Sequence, residues 1–205
     1  MVLKISIITA TYNCASTLGD CLSSVASQTY ANREHLVIDG ASQDDSLDVL
    51  QVCRNQLAVL VSEPDHGIYD ALNKGIARDS GEVIGFLHAD DMYANSNVLA
   101  YVAQAFVDPA VCAVYGDLHY SRKDDMSQVV RVWHSSLFTP QRLAWGWMPP
   151  HPTLYVRREW YERIGGFDTR YRISADYLSI LQMFSHADFK SVYLPEVLVK
   201  MRIGG

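Results

Sequence analysis

The chain has 205 residues, of which 49% are apolar and 20% charged, and its formal net charge is -6. That length and balance describe one soluble globular domain with a sizeable core and exclude an intrinsically disordered chain. The acidic excess excludes a nucleic-acid binder held by a general basic face, while leaving room for a local basic pocket that takes a diphosphate.

Lys4 to Thr9 reads as the first strand, and Leu18, Cys21, Leu22 and Val25 follow at i, i+3, i+4, i+7 as one helix face. His35 to Ile38 is a second strand ending at Asp39. Gly40 to Asp45 is loop and helix-cap chemistry before a second helix carrying Leu47, Leu50 and Cys53. Leu57 to Val61 is a third strand, and Tyr69, Leu72 and Ile76 mark a third helix. Val83 to Leu87 is a fourth strand, and Leu99, Val102, Ala103 and Phe106 mark a fourth helix. Strands and helices alternating at such short intervals build a parallel sheet wrapped by helices.

After Pro109 the rhythm changes. Val111 to Tyr115 is a strand, and Val129, Val130, Val132 and Trp133 suggest a hairpin with residues around Leu118 to Tyr120. The aromatic and proline-rich stretch Trp145 to Pro152 cannot be a regular helix. A short helix around Arg157 to Ile164, the turn Gly165-Gly166-Phe167-Asp168, a helix with Tyr177, Leu178, Leu181 and Phe184, and a final strand or two from Ser191 to Arg202 complete the chain. The expectation is one domain in two halves, residues 1–107 and 108–205. Because the strand-like run stops at Gly205 with no closing helix, a continuation beyond that residue is also expected.

Cys14, Cys21, Cys53 and Cys112 show no CxxC spacing and the histidines form no HExxH, so a structural zinc site is not expected. Cys21 and Cys53 read as small core residues of a reducing compartment. No window approaches the roughly 18 apolar residues of a membrane span, and Met1 to Lys4 leads into a strand and not into a signal peptide. A cytoplasmic protein follows, with membrane contact at most peripheral, at the inner face of the cytoplasmic membrane.

The fourth strand runs into His88-Ala89-Asp90-Asp91, placing two adjacent carboxylates at a strand's carboxyl end, where open α/β sheets bind ligands. Neighbouring carboxylates repel one another, and a hard cation between them and a phosphate relieves the repulsion. The competing reading is a solvated turn in which Asp90 or Asp91 caps the next helix. The segment after the first strand, Thr9-Ala10-Thr11-Tyr12-Asn13, has no GxGxxG, and no GxxxxGK[ST] occurs, which demotes dinucleotide-dependent dehydrogenases and P-loop proteins. Asp39 is placed to accept hydrogen bonds from a base or ribose, or to serve as a turn residue before Ser42.

Ile5 to Asn13, Val37 to Asp44, Asp65 to Ile76 and Gly81 to Asp91, in that order and spacing, together resemble family 2 glycosyltransferases of the GT-A fold. The likeness continues through His151-Pro152-Thr153, Gly165 to Asp168 and Ala175-Asp176-Tyr177, and so spans essentially the whole chain. The stretch from Asp65 to Ile76 is similar to the bacterial branch that builds O-antigens, capsules and exopolysaccharides. The resemblance implies an α/β GT-A fold with a mostly parallel central sheet and a small antiparallel acceptor-side region. It implies that Thr9, Thr11, Tyr12 and Asp39, with Ser42, hold the nucleotide, while Asp65 and Gly67 shape the neighbouring wall. Lys74 would reach a phosphate, against the more ordinary fate of a solvated lysine. Asp91 would be the direct ligand of Mg²⁺ or Mn²⁺, with Asp90 facing ribose or donor sugar. His88 stands where many relatives carry Asp, and is expected outside the first coordination shell.

Inverting transfer is an in-line displacement at the anomeric carbon through an oxocarbenium-like state. The departing nucleoside diphosphate needs its charge stabilised, and the acceptor hydroxyl needs a carboxylate base on the opposite face. Asp176 matches the family's base position, with helix capping by Ser174 or Asp176 as the structural alternative. His151 is either a diphosphate or metal contact or a loop-packing residue. Trp147 and Tyr155 are candidate acceptor contacts, and Arg170 and Arg172 lie on a loop before Asp176. The implied partners are a nucleotide-sugar donor, a UDP-sugar first, and a glycan or lipid-linked glycan acceptor in cell-envelope polysaccharide synthesis, without nucleic acid. Two other readings stay open. One is a nucleotidyltransferase that makes the activated sugar, although the basic glycine-rich loop it would need is missing. The other is a non-catalytic nucleotide- or sugar-binding module.

Overall fold

In the computed structural model, which describes residues 2–204, the first strand is the keel of the sheet. β1 (Ile5–Thr11) is buried along its whole length. Side chains alternate across a strand: Ile8 and Ala10 enter one core, Ile5 and Ile7 the other. β2 (Arg33–Asp39) and β4 (Val83–Phe86) pair with β1 in parallel on either side, and β3 (Val59–Ser62) pairs in parallel beyond β2. These are the continuous apolar runs expected of a sheet covered on both faces.

Helices supply the cover. α1 (Ala15–Ala26) and α4 (Val98–Ala105) pack over Ile5 and Ile7. On the Ile8 side lie α3 (Ile68–Ile76), α6 (Arg158–Ile164) and α7 (Ala175–Phe184). α2 (Ser46–Val52) closes a smaller core with α1 through Leu50, Leu18 and Leu22. α1 buries Leu18, Cys21, Leu22 and Val25, as its spacing predicts. α7 does not follow its expected face. Ala175, Ser179, Ile180, Met183 and Phe184 are the buried residues, so the helix is turned away from Tyr177, Leu178 and Leu181. All four cysteines are free thiols; Cys21 and Cys112 are buried, but Cys53 lies just past α2 and is partly exposed, not a core residue.

The second half makes the sheet mixed. β8 (Tyr155–Arg157) inserts antiparallel between β4 and β6 (Ala113–Ser121), and β9 (Ser191–Arg202) runs parallel to β6. β5 (Met92–Tyr93) pairs antiparallel with β9 at the far edge, giving the order β3-β2-β1-β4-β8-β6-β9-β5. β7 (Val129–Trp133) forms the expected hairpin on β6, with Leu118 opposite Trp133 and Tyr120 opposite Arg131. Val111 to Tyr115 and Leu118 to Tyr120, read separately in the sequence, belong largely to the one nine-residue strand β6. The short α5 (Pro140–Leu143) precedes the irregular Trp145–Pro150 stretch. Among the described residues no helix is long and apolar enough to cross a membrane.

Candidate active site

The carboxyl ends of β1 and β4 open into a cleft of about 630 Å³. Its walls are Ala10 to Cys14 after β1, Asp65 and Gly67 before α3, His88 to Asp91 after β4, and Lys123, Met201 and Arg202 from the second half. The ligand site therefore lies where strand ends and helix beginnings meet, as the general rule for open α/β sheets requires.

On the first wall Tyr12 is 59% exposed, while the Thr11 hydroxyl is buried and unpartnered. Beneath them the loops are tied by hydrogen bonds. Asp39 is fully buried, and its carboxylate accepts from the Ser42 hydroxyl, the Ser42 amide at 3.0 Å and the Ser62 hydroxyl at 2.6 Å. The Asn13 amide donates to Ser42 Oγ at 2.8 Å, and Asn13 Oδ1 accepts from the Gln43 amide at 2.8 Å. Asn13 and Ala41 both sit in the left-handed region, at φ 51° and 62°, which is uncommon for residues other than glycine. Asp65 Oδ1 accepts from the Gly67 amide at 2.8 Å and so fixes the turn into α3.

The opposite wall carries the carboxylate pair. Neither residue caps a helix, because α4 begins only at Val98 after Asn97. Asp91 is 1% exposed; its Oδ1 accepts from the Arg202 backbone amide at 3.1 Å and its Oδ2 has no partner. Burial, reinforced by the charge of Asp90, pushes the Asp91 carboxyl up to about 8. The Arg202 side chain holds this loop from behind, donating from Nε to the Asp90 carbonyl at 2.9 Å, from Nη1 to the Lys123 carbonyl and from Nη2 to Asp20.

Asp176 lies in the first turn of α7. Neither it nor Ser174 provides a side-chain cap; Ser174 instead enters the helix at φ 69°. Asp176 Oδ1 accepts a 2.8 Å hydrogen bond from the Tyr69 hydroxyl, so α3 positions both Gly67 at the cleft and the partner of Asp176. The same helix anchors the segment leading to α7. Asn73 accepts from the Phe167 amide and donates to the Phe167 carbonyl, both at 2.8 Å. At Gly166 (φ 75°) a Cβ would stand 2.5 Å from Asn73 Oδ1. The glycine turn and the asparagine of α3 are thus parts of one joint.

Thr11, Tyr12, Asp65, Gly67, Asp90 and Asp91 meet at the cleft. Several expected residues do not. Thr9 is one pleat deeper, fully buried, with its hydroxyl 3.0 Å from His35 Nε2. Asp39 and Ser42 lie beneath the wall and not on it. Lys74 lies off the cleft lining, its ammonium donating to the Pro64 carbonyl at 2.9 Å between Glu63 and Asp70. Trp147 packs on Phe138 and Phe184 and donates to Ser136 Oγ, and Tyr155 is 1% exposed within the sheet. Neither lines the cleft. His151, expected as a diphosphate or metal contact or as a loop-packing residue, stacks on Phe86 and is absent from the cleft lining that contains Asp91. Arg170 pairs with Asp168 on the surface. Tyr69, Asn73 and Arg202 are the contributors that sequence reasoning missed. Two of them lie inside the Asp65 to Ile76 stretch, whose unusual density of polar residues was the available signal.

Among the described residues no cluster of three His, Cys, Asp or Glu side chains could hold a metal alone. The unpartnered, buried Asp91 Oδ2 beside Asp90 nonetheless fits a hard cation of the kind held by one or two carboxylates and completed by substrate phosphates and water.

The family model described as glycosyl transferase family 2 matches residues 6–172. An uncharacterized glycosyltransferase of Mycobacterium tuberculosis is 34% identical over 180 residues, covering 87% of this chain and 68% of that protein. A PGL/p-HBAD biosynthesis glycosyltransferase of Mycobacterium bovis is 31% identical over 199 residues, covering 94% and 74%. Among solved structures, S. aureus TarS 1-349 in complex with UDP-GlcNAc superposes with TM-score 0.78 at 20% identity, covering 99% of this chain and 59% of TarS 1-349. The mannosyltransferase PcManGT from Pyrobaculum calidifontis, in complex with GDP-Man and Mn2+, gives TM-score 0.73 at 22% identity, covering 97% and 56%. The chain thus spans less than two thirds of these structural neighbours, and at such identities the likeness to them is one of fold.

Proposed function

The chain belongs to glycosyl transferase family 2 and is a glycosyltransferase, and from that premise we propose an inverting, metal-dependent transfer of one sugar from a nucleoside-diphosphate donor, a UDP-sugar first, to a glycan or lipid-linked glycan acceptor. The observation that carries this reading is the pair of differently held carboxylates: Asp91, buried with a free oxygen at the cleft, and Asp176, oriented by the Tyr69 hydroxyl.

In this reading Thr11, Tyr12, Asp65 and Gly67 take the nucleotide, while Asp39 and Ser42 stiffen the loops that carry Tyr12 and Asn13. Asp90 would face the ribose or donor sugar, and Asp91 would hold Mn²⁺ or Mg²⁺. When bound there, the cation would provide Lewis-acid stabilisation for the charge of the departing diphosphate. Asp176 accepts the proton of the attacking hydroxyl, with Tyr69 fixing which carboxylate oxygen is free to do so. The choice of donor and metal draws support from neighbours of the same fold that were solved with UDP-GlcNAc and with GDP-Man and Mn2+. An envelope glycan acceptor, reached from the cytoplasmic face of the membrane, is the extension suggested by the relative named for PGL/p-HBAD biosynthesis.

Calorimetry with UDP, GDP and dTDP, with and without Mn²⁺, tests this reading. One nucleotide is expected to bind in a metal-dependent way, at least about tenfold more weakly to Asp91→Asn. Asp176→Asn should bind it normally and lose about 10²–10⁴-fold in transfer rate. If no nucleotide binds, or if Asp91→Asn keeps the affinity and metal dependence of the wild-type chain, the metal-site reading is wrong.

A further inference from the structure

Two imidazoles lie side by side next to the cleft, and the mechanism uses neither. His88 lines the cleft three residues before Asp91, and its Nδ1 is buried without a partner. His151 opens the short 3-10 turn His151–Thr153, is 6% exposed, and its Nε2 is likewise buried without a partner. Their ring centroids are 6.2 Å apart. His151 is not free to turn toward a partner elsewhere, because Phe86 stacks on it at 5.5 Å and Phe167 meets it edge-on at 5.8 Å.

Buried polar atoms in folded proteins almost always have a hydrogen-bond partner, and an unpartnered one calls for an explanation. Here two occur side by side. A neutral imidazole has one donor and one acceptor. A hydroxyl group has the same duality. A run of contacts leads from the cleft through His88 and His151 to Phe167, on to Tyr69 at 5.5 Å from Phe167, and so to Asp176, which puts the pair on the way from the diphosphate end of the cleft to the candidate base. In an in-line displacement the transferred group occupies that interval.

We propose that His88 and His151 together form the subsite that reads hydroxyl groups of the transferred sugar, and so are specificity-determining residues for the donor. This assignment rests on the proposed function. It makes His88 a reader of sugar and not a diminished metal ligand.

The test compares binding of UDP and GDP with that of UDP-N-acetylglucosamine, UDP-glucose, UDP-galactose and GDP-mannose, all with Mn²⁺, by calorimetry. The wild-type chain should bind at least one sugar nucleotide more tightly than its parent diphosphate. His88→Ala and His151→Ala should each remove about tenfold of that gain while leaving diphosphate affinity within about twofold. His88→Asn, which keeps a donor and an acceptor near the ring position, should restore part of it. His151→Gln serves in place of His151→Ala should the latter not fold, and should weaken sugar binding less. The assignment is overturned if no sugar nucleotide outbinds its diphosphate, if the alanine variants keep the gain, or if they lose diphosphate and sugar nucleotide equally. Failure of every diphosphate to bind the wild-type chain would instead overturn the proposed function, and this subsite with it.

Discussion

The guanidinium of Arg202 is buried, with the residue 7% exposed, and it is surrounded by acceptors from three distant parts of the chain: the Asp90 carbonyl, the Lys123 carbonyl and the Asp20 carboxylate. A lysine has three donors on one atom and no planar fork, so it cannot serve three divergent acceptors with the same geometry. Hydrogen bonds to charged groups contribute about 1.5–3 kcal/mol each when a partner is removed. Arg202→Lys is therefore expected to lower unfolding free energy by about 1.5–3 kcal/mol, read by urea denaturation. It should also weaken Mn²⁺-dependent nucleotide binding more than metal-free binding, because the loop that loses its brace is the one carrying Asp90 and Asp91. Unchanged metal dependence in a destabilised variant would confine Arg202 to a structural role.

Between elements, α3 fits tightly on β1. A Cβ added at Gly75 would stand 2.4 Å from Ile8 Cγ2, and Ile8 is fully buried at the centre of the sheet. Alanine favours a helix over glycine by about 1 kcal/mol, whereas overpacking a filled core costs about 1–3 kcal/mol. The steric effect wins where the neighbour cannot move, so Gly75→Ala should destabilise in chemical denaturation despite its better helix propensity. A more stable variant would mean that Ile8 repacks and that α3 is loosely seated. This seating matters because α3 carries Gly67, Tyr69 and Asn73 to the site. The elements of the first half were legible in sequence because each buried strand is an unbroken apolar run and each helix shows one apolar face. Legibility fell in the second half for physical reasons. Gly116 and Asp117 look like a break but lie inside β6, and β8 has only three residues, too few to show alternation. In α7 the small Ser179 is buried while larger residues remain half-exposed, so hydrophobicity alone misplaces the face. Within the site, the cleft positions of Thr11, Tyr12, Asp65, Gly67, Asp90 and Asp91 were readable from strand ends and turns. Thr9 was misjudged by one pleat. Arg202 was unreadable because only the assembled sheet brings β9 to a loop 112 residues earlier in the chain.

Across the whole molecule, stability against acid is set by a few buried groups whose contributions oppose one another. His35 is 5% exposed and bonded to Thr9; burial, and then the charge of Arg33, lowers its imidazole from 6.5 to about 3. Below pH 6.5 the unfolded chain takes up a proton that the folded chain refuses, so this contribution is fully present above pH 6.5 and is lost progressively as pH falls toward 3. The loss amounts to about 1.4 kcal/mol per pH unit, or roughly 2 kcal/mol at pH 5. Asp79 works in the other direction. Burial pushes its carboxyl from 3.8 to about 6, so the folded chain binds that proton first and gains stability as pH falls from 6 to 3.8. Glu34 adds a late acid term: burial would raise it, but hydrogen bonds from Lys4, Ser6 and Ser80 hold it at about 2, and its contribution fades only as pH drops from 4.5 toward 2. The sum can look flat although its parts are not. Subtracting the urea-unfolding profile of His35→Gln from that of the wild-type chain isolates the histidine, because Asp79 and Glu34 cancel. The difference should favour the wild-type chain most at pH 7.5 and shrink by about 2 kcal/mol by pH 5. A difference independent of pH would mean that the imidazole reaches solvent in the native state, and that the β1–β2 interior around Thr9 is open to water.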